Sequence, residues 1–158
     1  MRLRSRANGD RRGATVVETA FVLLIAITLT LAIYDYARYF MLSQLVNNAA
    51  REGARQAVAN TNSQNTAMIQ NTVVQYMANQ NYTDSAGTAF SASDVIVLQV
   101  NPATGAAATP DSTWYNAAFG SSIMVRVNAR FTSLFPSFGF LPTTVALQGT
   151  AVMTSEAN

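Results

Sequence analysis

The sequence predicts an α+β protein: a long N-terminal helix, transmembrane in its first half, carrying a small antiparallel sheet head domain packed by helices. Three observations predict it. From Ala14 to Tyr34 there are 21 residues with one charge, Glu18. Immediately beyond, apolar residues recur on one side only, at helical steps. In the last third of the chain, two segments alternate apolar and polar residues, as half-buried strands do.

The first element is long enough to span a bilayer. At 1.5 Å per residue it covers roughly 30 Å, the thickness of a hydrocarbon core. Its β-branched residues do not oppose a helix in lipid, where backbone groups must pair within the segment. Thr28 and Thr30 can return their hydroxyls to the preceding turn. Tyr34, Asp35, Tyr36, Arg38, Tyr39 and Phe40 mark the far interface as an aromatic belt with charges. The expected division is therefore 1–13 as a cytoplasmic leader, 14–35 as the membrane helix and 36–158 as the extracytoplasmic domain.

Past Tyr39, Leu42, Leu45, Val46, Ala49, Gly53 and Ala57 form one face. Gln44, Asn48, Arg51 and Arg55 fall opposite. No Pro occurs before Pro102, so nothing breaks a helix running from Ala14 to about Ala59. The small residues on its apolar face predict close packing on the protein's own head domain, with a subunit interface as the alternative. "NTNSQN" (60–65) stops that helix and caps a second, about Ser63 to Gln80, presenting Ile69, Val73, Tyr76 and Met77. The low-complexity stretch 101–113 is a loop. Strands are expected at 94–100, 122–132 and 144–154, with Gly149 read as a bulge in the last. The segment 133–143, with two prolines and five large apolar residues, reads as a loop over the core edge, and Trp114 as a core anchor.

Composition removes whole classes of function. There is no Cys and no His, which excludes disulfides, Ser-His-Asp or Cys-His catalysis and the usual zinc sites. No metal and no cofactor is expected. Residues 1–13 hold five Arg against one Asp, a net +4, while the remaining residues are net −2. The basic pI therefore belongs to the leader, and no nucleic-acid partner is expected. A hydrolase built on Asp and Glu needs two carboxylates facing each other, and the scattered acids do not suggest such a pair. The chain is read as non-enzymatic.

Glu18 is the residue that calls for a function. A carboxylate at the centre of a bilayer segment costs about 2.5 kcal/mol or more, less near an end, and such groups are kept for a purpose. No Lys or Arg lies within the apolar run to meet it. Cutting the chain after Gly13 would create a cation, the α-amino group of Ala14, with an ordinary pKa of about 7.7–8.0. Glu18, four residues on, could neutralise that amine within the chain or on a neighbouring copy. An uncleaved signal anchor bearing a binding domain is the plainer alternative.

Gly13 followed by Ala14-Thr15-Val16-Val17-Glu18 and an unbroken apolar helix resembles the type IV prepilin processing signal. The whole chain is similar to TadE-like minor pseudopilins of the tight-adherence (Flp) pilus system. "RRGATVVETAFVLLIAI", "QLVNNAAREGARQAV" and the final "LQGTAVMTSE" carry this resemblance; residues 60–120 match only in style. It implies cleavage between Gly13 and Ala14 by a prepilin peptidase, and a role for Glu18 in assembly. It implies other pilins and pseudopilins, and an inner-membrane assembly platform, as partners. Location in the bacterial inner membrane follows, with the N-terminus in the cytoplasm and the C-terminal domain outside, as does a part in adhesion and biofilm formation. Major Flp pilins are much shorter and show a Glu-Tyr pair, whereas Glu18 is followed by Thr19. Both departures point to a minor component, TadE-like or a TadF-like sibling.

Overall fold

The computed structural model describes residues 9–59, 61, 65–82, 89–101, 114–117, 119–135 and 142–155. Helix α1 (Gly9–Ala59) has 51 residues and is about 76 Å long. The hydroxyls of Thr19, Thr28 and Thr30 each donate to the carbonyl four residues back, at 2.6 to 2.8 Å. This is how polar side chains are tolerated on an apolar helix. Helix α2 (Thr66–Asn79) starts three residues later than its pattern suggests. The reason is the Asn65 side chain, which accepts from Met68 N at 3.1 Å and so makes Asn65 the N-cap. At the other end Asn81 takes a positive φ of 54°, a conformation Asn tolerates better than most residues.

Strands β1 (Val95–Val100), β2 (Ser122–Thr132) and β3 (Thr144–Thr154) form an antiparallel meander in that order. The α+β architecture is as the sequence predicts. β1 begins one residue late because Asp94 is used in a capping box, its carboxylate accepting from Ser91 N. β2 and β3 pair one for one from Ser122↔Thr154 to Thr132↔Thr144, with Gly149 opposite Val127. The bulge expected at Gly149 is therefore absent. The glycine serves a close approach instead: a Cβ there would lie 2.6 Å from the backbone oxygen of Val46 on α1.

The core lies between the helices and one face of the sheet. Ala49, Ala50, Ala54 and Ala57 of α1 are fully buried with Ile69, Val73 and Met77 of α2 and Ile123, Val125 and Val127 of β2. The small-residue face of α1 is thus used by the protein's own head. A Cβ on Gly53 would come within 2.7 Å of Val73 and 3.0 Å of Val125. Trp114 is fully buried and donates from Nε1 to Thr66 Oγ1 at 2.9 Å, which makes it the expected anchor. Arg126, Asn128 and Arg130 alternate with the core positions of β2 and lie on the opposite sheet face. Most of the loop 101–113, and residues 136–141 of the loop after β2, lie outside the described residues.

Candidate functional site: the exposed half of α1 and its junction with the head

Along α1 from Gly13 onward, the first buried residue is Asp35. Before it, Val16, Val17, Phe21, Leu24, Ile27 and Ile33 are all more than half exposed, and they point around the whole circumference. A helix apolar on every side has no face suited to water, and this one is long and apolar enough to cross a membrane. Transfer of apolar surface out of water yields roughly 25 cal/mol per Å². Lipid or neighbouring helices are the environments that can take up this half of α1.

Gly13, Ala14 and Glu18 lie on this exposed half, within one unbroken helix. Ala14 and Glu18 are four residues apart, hence neighbours on one side of the helix. Glu18 faces outward and takes part in neither of the ion pairs formed among the described residues. A Cβ added to Gly13 meets nothing within 4 Å. Gly in a helix interior costs about 1 kcal/mol relative to Ala, and nothing among the described residues accounts for that cost at Gly13.

The junction between the two halves of α1 is built around Asp35. Its carboxylate, 4% exposed, accepts a short hydrogen bond from Ser133 Oγ and one from Leu134 N at 3.2 Å. Arg38 donates to it from one turn further on, at 3.5 Å. Ser133 Oγ in turn accepts from Phe135 N at 3.2 Å. Beside this cluster the Tyr39 ring meets Phe131 edge-on at 5.6 Å, and the Arg38 guanidinium lies 5.5 Å over the same ring. Sequence reasoning placed Asp35 and Tyr39 among the interfacial residues; the fold adds that both turn toward the head. The signal was present in the spacing: Asp35, Tyr39, Leu42, Val46, Ala49 and Gly53 follow one another at steps of four and three, a single stripe down the helix.

Further along α1, Glu52 and Arg55 form a bidentate pair at 2.7 and 3.0 Å. The Arg55 hydrogen bonds hold the Glu52 carboxyl below its ordinary 4.5 and raise the Arg55 guanidinium. Two clefts open near the end of β2. Among the described residues the larger, about 480 Å³, is lined by one carboxylate, Asp94, and the smaller, about 250 Å³, by none. Neither shows, among those residues, the facing acid pair that hydrolysis by carboxylates requires.

Residues 13–55, just over a quarter of the chain, match the family model of the TadE-like proteins. The match covers the apolar half of α1, the Asp35 junction and most of the stripe packed on the head. No curated protein and no solved structure matches the chain.

Proposed function

We propose that this TadE-like chain is the precursor of a structural pseudopilin of a tight-adherence pilus system. Residues 1–13 act as a cytoplasmic leader that a prepilin peptidase removes between Gly13 and Ala14. Residues 14–35 then span the inner membrane, and residues 36–158 form the domain outside it. The observation that carries the reading is the pairing of an unneeded glycine with an unpartnered acid. Gly13 has no packing role among the described residues, so its small size serves a reaction on the backbone. Glu18 faces outward from an apolar helix without an ion-pair partner among the described residues. Cleavage gives it one: the new ammonium of Ala14 lies on the same side of the helix, in this copy or the next. In lipid two such charges are better paired than alone.

In this chemistry the protein is a substrate and then a building part, contributing to pilus assembly, surface adhesion and biofilm formation. Its partners are the peptidase, other pilins and pseudopilins, and the assembly platform in the membrane. N-terminal sequencing of the membrane-bound protein tests the reading. The expected first residue is Ala14. A chain starting at Met1 would overturn the proposal and leave an uncleaved anchor with an external domain.

A further inference from the structure

The smaller cleft lies at the membrane end of the head, where Arg38 of α1 and Arg130 near the end of β2 line a common cavity of about 250 Å³. Met41 and Leu42 supply an apolar wall, with Phe131 and Thr132 opposite. From this geometry we infer that the cleft binds the phosphate headgroup of an anionic phospholipid in the outer leaflet of the membrane that α1 crosses. The inference rests on the membrane-spanning reading of α1.

Height along the helix is the first argument. Arg38 follows Tyr34 by four residues, so it stands roughly 6 Å beyond the end of the apolar run. The headgroup layer adds about 5–7 Å to each side of the hydrocarbon core. Arg38 therefore sits where lipid phosphates are.

Charge is the second argument. Asp35 takes a single nitrogen of Arg38, Nη1, and is itself turned inward to Ser133 and Leu134. The Phe131 ring fixes the guanidinium plane from one side. Arg130 is exposed and joins neither ion pair among the described residues. Its backbone is pinned, since the Tyr82 hydroxyl donates to Arg130 O and accepts from Arg130 N, both at 3.0 Å. Two arginines in the lining, with no acid among its described residues, suit a phosphodiester.

The third argument is size. The cavity is smaller than the roughly 300–1,000 Å³ usual for sites that enclose a whole small molecule. It suits a headgroup whose acyl chains remain in the bilayer beside the apolar run that ends at Tyr34.

Full-length protein purified in detergent and stripped of lipid is titrated with phosphatidylglycerol or phosphatidylcholine, and bound lipid is counted by native mass spectrometry. The expected result is one phosphatidylglycerol per chain, held about tenfold more tightly than phosphatidylcholine. Arg38→Gln/Arg130→Gln removes that preference, whereas Arg55→Gln, on the distal part of α1, keeps it. Arg130→Gln alone, which leaves the Asp35 contact intact, lowers it several-fold and serves if the double variant misfolds. Equal binding of the two lipids, or a preference that survives the double variant, overturns the inference. Displacement by millimolar inorganic phosphate also overturns it, since the cleft would then be a site for free anions. Carbonate extraction of membranes, run in parallel, separates the two readings. Protein released by carbonate defeats the spanning helix and this inference together; retained protein without lipid preference defeats this inference alone.

Discussion

Helix α1 is one continuous element with two environments. In residues 14–34 the apolar side chains face outward on all sides; between Val46 and Ala57 the buried positions are nearly all Ala or Gly, closed over by α2 and the sheet. The glycines show the difference. Gly53 and Gly149 are fixed by what surrounds them, since any Cβ would enter Val73 and Val125 or the Val46 carbonyl. Gly13 has open space around it. A glycine that the fold requires reports on packing, whereas one that the fold does not require points to an event outside the fold.

Breaking the packed half should produce the largest effects. Gly149→Ala places a methyl 2.6 Å from a backbone oxygen, so α1 and β3 must separate along their contact. The expected loss is about 3 kcal/mol, the upper end for overpacking, read as a lower midpoint in chemical denaturation of the detergent-solubilised protein. Gly53→Ala meets Val side chains rather than backbone and should cost less, about 1–2 kcal/mol. A Gly149→Ala variant as stable as the parent would show that α1 does not lie against β3 at Val46.

The junction comes next in size. Asp35→Ala leaves the Ser133 hydroxyl and the Leu134 amide without their acceptor, at a cost of about 2–3 kcal/mol. The loss should be local as well as global. Hydrogen exchange at the Leu134 amide should accelerate more than at β2 amides such as Val125. Uniform acceleration would mean that Asp35 supports the core rather than the joint between helix and head.

What the sequence made legible was local and periodic. The bounds expected for β2 and β3 are those observed, because two-residue alternation is strong over eleven positions. The small-residue face of α1 was legible as a packing face for the same kind of reason. Gly149 was misread because a glycine inside a strand signals either a bulge or a close neighbour, and the pattern along one strand cannot say which. The Asp35 cluster was missed because its partners lie 98 and 99 residues away. Gly13 and Glu18 were singled out by a lone carboxylate in an apolar run and by the resemblance to a processing signal. What the fold adds is that neither is needed for packing or ion pairing among the described residues.

Gly13→Ala tests that addition with opposite signs in two measurements. Stability should not fall, and should rise by up to about 1 kcal/mol from helix propensity. Processing should fail, so that the longer precursor accumulates on a gel. A destabilised Gly13→Ala variant would assign the glycine to the fold after all.

The smallest effect compares two glutamates on the same helix. Glu52 is held below 4.5 by its hydrogen bonds to Arg55, so the unfolded chain binds the proton more readily than the folded one. Stability from this pair is therefore complete above the unfolded pKa and is lost as pH falls through the lower folded value. Both side chains reach solvent, so the contribution is small and weakened by salt. The denaturation midpoints of the parent and Glu52→Gln should differ slightly at neutral pH and converge as pH drops below about 4. Glu18 joins neither described ion pair, and Glu18→Gln should leave the midpoint of the uncleaved precursor unchanged while reducing pilus assembly. If Glu18→Gln instead lowered that midpoint as Glu52→Gln does, the carboxylate would belong to the fold of the single chain, and its pairing with a freed amine would lose its rationale.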